Sequence, residues 1–380
     1  MIRVFTACHG TQLLVIQHLR AHLALPQATD LLLWHPMDDN PFIGNFMRGV
    51  IDTAGFADVL DIRDFHSLRP RTQGALSWLV ESPRRLRRDA AELRGFVERN
   101  GASEEVELWA DEPMHFYVTF PRAVLRQARH VHIPHCFNHE DASTPVLKAR
   151  LQAAWDVGGW PKRHVFQPWQ RLASGGVDMR PDGVAYNCAY TFDRPSCWAA
   201  DSIDISHLIT LDAFEATYRT LPAAMRQEVE AVLAPIQAAA RPIVLLLLFG
   251  LDPGPEPRLL YQQAIERIFR ERSAELSGCT LAVKVHPGAK GGEEKVFIDW
   301  LRANIPAQVH PIMHPLNAEF MLPRLRPDYV VAGLCGALPT VARLAVAKPV
   351  AIAELVEAFE RSRPADQPFV RSMLSNVERW

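Results

Sequence analysis

"IRVFTACHGTQLLVIQHLRAHLALPQATDLLLWHP" (residues 2–36) decides the fold class. Its first part, IRVFTA (2–7), is a short apolar run that reads as a strand. TQLLVIQHLRAHL (11–23) carries apolar residues at helical spacing, and DLLLWHP (30–36) is strand-like again. Strand, helix and strand in so short a stretch form a β-α-β unit, which joins parallel strands through a crossover helix. Sheets built this way hold their ligands beyond the carboxyl ends of the strands.

The alternation continues in VELWADEP (106–113), with a helix expected after it, and in HVHIPHC (130–136). Residues 155–210, rich in Trp, Pro, Gly and Asp, read as irregular. A helical stretch at 213–240, broken near Pro222, leads into RPIVLLLLFG (241–250) and a second alternating block. Its expected strands are 243–249, 280–286, 328–333 and 349–353, and its helices 257–275, 293–304 and 339–347. Two such blocks in 380 residues predict an α/β chain of two Rossmann-like domains facing across a cleft. The expected division is a first domain, 1–235, and a second, 236–364, with a C-terminal helix, 365–380, packing back on the first.

Composition excludes several classes. A chain that is 48% hydrophobic and 22% charged is globular rather than disordered. No apolar run reaches the ~18 residues that would span a bilayer, and the N-terminus lacks the basic, apolar, small-residue order of a signal peptide, so a cytoplasmic location is expected. A net charge of −2 argues against nucleic acid as a partner. The six cysteines are scattered without a C-x-x-C pair and read as small buried residues. SPRRLRRDAAELRGF (82–96) reads as a helix with Ser82 as N-cap and Pro83 as its first residue. Its Arg84, Arg85, Arg87 and Arg88 form either a solvated face or a patch for anionic lipid at the inner membrane.

Several residues could carry chemistry. In LAVKVHPGAK (281–290), Lys284 and His286 share one side of a strand, with His286 at its carboxyl end and its backbone restricted by Pro287. In DYVVAGLCGALPTVARLAV (328–346), Gly333 and Gly336 allow close backbone approach, and the helix start beyond them offers free N–H groups to a phosphate. Gly250 ends another strand. Asp111 and Glu112 follow a strand and point to different sides, so one serves as a base or both decorate a helix start. HVHIPHCFNHED (130–141) carries His130, His132, His135 and His139. No Cys/His pair completes a zinc pattern there, so it reads as a polar strand end lining the cleft, with no metal expected.

These stretches resemble bacterial sialyltransferases of the lipooligosaccharide and capsule-polysialyltransferase type, which have the GT-B fold. Those enzymes carry, in order, a D/E-D/E-G motif, a K-x-H-P motif and a Ser/Thr-rich turn. Here ADEP (110–113), KVHP (284–287) and GLCGALPT (333–340) stand in that order, and PLNAEFMLPRL (315–325) is similar to the stretch whose glutamate holds the nucleotide ribose, which would be Glu319. VFTACHGTQLL (4–14) looks like the family's first strand and polar turn. The resemblance implies an inverting, metal-independent transferase without a cofactor. Its co-substrate would be a CMP-activated nonulosonic acid, and its acceptor a glycan or lipid-linked glycan hydroxyl. It implies catalysis by Asp111 or Glu112 with His286, and donor contacts from Gly250, Lys284, Pro287, Glu319, Gly333, Cys335, Gly336 and Thr340. Asp111 is the implied base because the motif places its base first. Two departures stand out: Pro113 replaces the motif glycine, and Cys335-Gly336 replaces hydroxyl residues, leaving backbone N–H groups and Thr340 for the phosphate. The rival readings are a CMP-Kdo-dependent transferase, a nucleotide-sugar epimerase on the same fold, and a binding protein with a dead site.

Overall fold

A computed structural model describes residues 1–35, 41–62, 75–101, 105–111, 116–137, 167–174, 186–192, 199–248, 255–286 and 292–380. They form two compact units. The first contains a seven-stranded sheet of β1 (Ile2–Ala7), β2 (Thr29–Trp34), β3 (Asp58–Asp61), β4 (Val106–Ala110), β5 (Arg129–His132), β6 (Cys188–Thr191) and β7 (Ser202–Asp204), in the order β3-β2-β1-β4-β5-β6-β7. All its pairings are parallel. β1 is buried along its whole length, as a strand covered on both faces must be, and its one charge, Arg3, is paired with Asp30 at 2.8 Å. Helix α1 (Gly10–His22) follows β1 and helix α3 (Ala75–Arg99) precedes β4. α3 lays Leu86, Ala90, Leu93, Phe96 and Val97 into the core at helical spacing.

The second unit contains a six-stranded parallel sheet of β8 (Ile243–Leu247), β9 (Thr280–Lys284), β10 (Gln308–Ile312), β11 (Tyr329–Ala332), β12 (Lys348–Ala351) and β13 (Glu378–Arg379), in the order β10-β9-β8-β11-β12-β13. In each sheet the strand order reverses once, between β1 and β4 and between β8 and β11. These are the topological switch points, beside which doubly wound sheets form their ligand crevices.

Most expected elements are present: β1 ends as expected, β8, β9, β11 and β12 end one or two residues early, and Asp111 and His286 lie just past β4 and β9. Three expectations are corrected. The arginine-bearing helix does not begin at Ser82-Pro83: α3 starts at Ala75 and Pro83 lies inside it. The division does not fall at 235/236, since the second unit takes in His207–Trp380 together with helix α2 (Pro41–Thr53) and Phe137. Helices Leu211–Thr220 and Ala223–Gln237 are held there by Arg324, which bonds both Glu215 and Glu230, and by Phe214 edge-on to Phe320 at 5.2 Å. The C-terminal stretch joins the second unit instead of packing on the first, because β13 adds to β12 and Trp380 packs on Tyr329 at 5.1 Å beneath Arg272. β10 went unread because Pro311 breaks its pattern; it is tolerated because β10 is an edge strand.

Candidate functional site

Each unit brings polar residues together at the carboxyl ends of its strands. In the first, β1 ends in Cys8-His9, and His9 is the N-cap of α1, its ring accepting the Gln12 backbone N–H through Nδ1 at 3.3 Å. The Gln12 side chain turns back beneath the cap. Its Oε1 accepts the Cys8 N–H at 2.7 Å, and its Nε2 donates to Oδ2 of Asp111, the residue after β4. The same carboxylate oxygen meets His135 Nδ1 at 2.6 Å, and His135 Nε2 lies 2.8 Å from His9 Nε2. Tyr186, at the entry to β6, donates its hydroxyl to the Asp111 carbonyl. The carboxylate is thus fully buried at the β1/β4 switch point while His9 and His135 reach toward solvent.

The expected histidine-rich strand end resolves into separate roles. His130 bonds the Leu125 carbonyl at 3.1 Å at the far end of β5. His132 is fully buried, edge-on to Tyr186, whose ring also carries the Arg122 guanidinium. Burial lowers the His132 pKa to about 4, against the pull of Asp111 and helped by Arg122, so the ring is neutral at ordinary pH. His135 alone of these joins Asp111. His139 lies outside the described residues, as does Glu112. Among the described residues no group of three or more His, Cys, Asp or Glu side chains is arranged to hold a metal ion.

In the second unit the polar residues gather around Lys284 at the end of β9. Lys284 is buried and donates to the Val285 carbonyl at 2.5 Å. Burial lowers its pKa to about 7, opposed by the nearby Glu319. Glu319, in the first turn of helix Ala318–Leu325, is itself buried and raised by that burial against the lysine's charge. His314 completes the group: its Nδ1 accepts the Leu316 N–H at 3.1 Å, and burial with the lysine's charge takes it down to about 4. Two residues past Lys284, His286 is exposed.

The turn after β11 lies at the β8/β11 switch point. Gly336 caps helix Ala337–Leu344 without a side-chain bond, and burial pushes the neighbouring Cys335 thiol up to about 11, keeping it protonated. Two residues here have structural duties that the sequence did not reveal. A Cβ on Gly333 would meet Leu355 at 3.0 Å, so the glycine lets helix Ala353–Ser362 pack on the strand end. The Thr340 hydroxyl donates to the Phe137 carbonyl at 3.0 Å and is buried, holding Phe137 in its cluster with Phe214 and Phe320. Gly250 and Pro287 lie outside the described residues.

Sequence reading missed Gln12 and assigned His9 and His135 no chemistry. The available signal was a histidine two or three residues past each of two strands, in TACHGTQ and IPHC. Nothing local shows that the two strand ends converge on Asp111.

No protein-family model matches the chain, and no curated protein matches it significantly. Solved structures do. An α/β-galactoside α-2,3-sialyltransferase from Photobacterium phosphoreum is similar with a TM-score of 0.50 at 9% identity, over 100% of this chain and 98% of that one. The chain has a GT-B-like fold. UDP-GlcNAc 2-epimerase from Neisseria meningitidis gives 0.49 at 11% identity, over 99% and 94% of the two chains. The GT-B domain of a sialyltransferase from Photobacterium damselae gives 0.46 at 11%, over 100% of each. At such identities likeness speaks for fold alone, and it is the first of the three that carries it.

Proposed function

We propose that this GT-B-like protein is an inverting glycosyltransferase that moves sialic acid or a related nonulosonic acid from a CMP donor to a glycan hydroxyl, with no metal or cofactor. The observation that carries the reading is the series of Asp111, His135 and His9 at the switch point of the first sheet. A sugar hydroxyl is a weak nucleophile, and a carboxylate-oriented imidazole is the kind of base that activates one. The second unit supports the other half of the reaction. His286 is exposed at a strand end, and the N–H groups at the start of helix Ala337–Leu344 suit the growing negative charge of a departing phosphate. In this reading Lys284 and Glu319 hold that strand end electrostatically, and the donor is met by His286 with the turn at 333–336.

The acceptor belongs to bacterial surface polysaccharide or lipooligosaccharide and is lipid-linked. Arg84, Arg87 and Arg88 are exposed on α3, and Leu172 is exposed on helix Gln167–Ala173 of the same unit; basic and apolar groups of this kind suit an anionic membrane surface. No helix among the described residues is long and apolar enough to cross a membrane.

Thermal stabilisation by CMP-, UDP- and GDP-sugars, followed by turnover with and without a glycan acceptor, tests the assignment. CMP-sialic acid should stabilise the protein and be consumed far faster with an acceptor present. Preference for CMP-Kdo would move the donor assignment to that sugar. UDP-GlcNAc binding with turnover in the absence of acceptor would replace the reading with an epimerase, whose proton abstraction from carbon the same base could serve.

A further inference from the structure

We infer that His135, not Asp111, is the group that takes the proton from the acceptor hydroxyl, and that His9 is its positioning partner, capping the ring's lone pair until the hydroxyl displaces it. The inference rests on the glycosyl-transfer reading for its substrate but on this chain's hydrogen bonds for its assignment.

Two backbone N–H groups set the direction of every bond in the series, because a backbone N–H can only donate. The Gln12 N–H needs a lone pair on His9 Nδ1, so a neutral His9 carries its proton on Nε2. With 2.8 Å between the two Nε2 atoms there is room for one hydrogen, and it is the one on His9. His135 Nε2 therefore accepts, and its proton lies on Nδ1, facing Asp111 Oδ2 at 2.6 Å. From the other side, the Cys8 N–H needs an acceptor, so Gln12 turns Oε1 toward it and Nε2 toward the same carboxylate oxygen. The 3.4 Å approach of Gln12 Nε2 to His135 Nδ1 is then a by-product of two donors sharing one acceptor.

These directions divide the roles. The Asp111 side chain is 0% exposed and its Oδ2 already takes two donors, so a hydroxyl could reach it only by taking the series apart. The His135 side chain is 31% exposed and bears its lone pair on the nitrogen that meets His9. When an acceptor O–H takes His9's place, the acceptor oxygen bonds the anomeric carbon as the anomeric C–O bond to phosphate breaks, and that electron pair leaves on CMP. The acceptor's proton passes to His135 Nε2 and later to solvent. The resulting imidazolium keeps its Nδ1–H on the Asp111 carboxylate, which stabilises it. Two N–H groups would then face each other, so His9 must stay turned away until the proton leaves. Among the described residues, His132 faces the same carboxylate, and burial with the nearby Arg122 charge keeps its ring neutral.

Nitrogen-15 NMR of the histidine-labelled full chain reads the tautomers without any substrate. The expected result is Nδ1–H for His135 and Nε2–H for His9; the opposite tautomer at either ring overturns the inference. His9→Asn keeps a cap for the Gln12 N–H but cannot reach His135. It should raise the rate at which diethyl pyrocarbonate modifies His135 severalfold, and an unchanged rate overturns the capping role. In the transfer assay His135→Ala should lower kcat at least about 100-fold. His9→Asn should lower the acceptor KM, because the competitor for the lone pair is gone, and should cost kcat less than His135→Ala does. Loss of kcat in His9→Asn equal to that in His135→Ala overturns the division of roles. Absence of transfer from every CMP-sugar, with the tautomers as stated, refutes the glycosyl-transfer reading alone.

Discussion

At the first sheet's switch point a buried carboxylate, Asp111, is met by direct hydrogen bonds from Gln12 and His135, whereas in the second unit two buried opposite charges, Lys284 and Glu319, act on each other through the field between them. Both solutions offset the cost of burying charge, but they leave different properties behind. Hydrogen bonds with fixed donors set where each proton sits, which suits moving one proton in one direction. Compensation through the field leaves Lys284 near neutrality with its charge free to follow a ligand, which suits a site where an anion arrives and leaves.

The largest expected effect breaks the first half of that contrast. Asp111→Asn should cut transfer by roughly 10²–10⁴ with CMP affinity nearly unchanged, since it removes the charge that orients His135 without touching the donor. His286→Ala should harm both quantities. Side-by-side turnover and calorimetric CMP binding check this, and an active Asp111→Asn enzyme would mean that the series is structural.

The second unit can be tested through linkage. Lys284 has a folded pKa of about 7 against an ordinary 10.5, so above pH 7 the unfolded chain keeps a proton that the folded chain releases. Stability therefore gains from this group as pH rises from 7 toward 10.5, by up to a few kcal/mol. Urea unfolding of wild type and Lys284→Met at pH 7 and 9.5 reads it as a difference, with the rise absent in the variant. The same lysine should make CMP binding take up protons near pH 7.5, seen as a calorimetric enthalpy that varies with the buffer.

On the acid side the first unit should respond. His132 falls from 6.5 to about 4, so its contribution is complete above 6.5 and is lost as pH drops toward 4, on the order of 3 kcal/mol. A His132→Gln variant should show a flatter pH dependence between those limits by urea unfolding. The smallest effect concerns the outer face of the first unit. Replacing Arg84, Arg87 or Arg88 singly by Gln should weaken sedimentation with anionic vesicles by about 1 kcal/mol each, and no change would leave α3 a solvated face.

Much of the fold was legible because its signals are local. β8 is a continuous apolar run, β1 and β9 are mostly apolar and wholly buried, and Pro222 parts two helices where the pattern breaks. β3, β6 and β13 were not, being two to four residues long, too short for a period to register. Asp111, Lys284 and His286 could be picked out because charged or titratable residues at the ends of apolar strands are conspicuous, whereas Glu319 came only with the family resemblance. Their surroundings could not, and so the packing of Leu355 against Gly333 and the bond from Thr340 to Phe137 went unread.

By itself the sequence determined which stretches are buried strands and which polar residues stand at their ends, since burial alternation and helical spacing depend only on near neighbours along the chain. Only the tertiary structure decided that β1 lies beside β4 and β4 beside β5, and hence that His9, Gln12, Asp111 and His135 form one series. The β1–β4 adjacency is a contact between segments about a hundred residues apart, fixed by the packing of whole layers, and no local period encodes it.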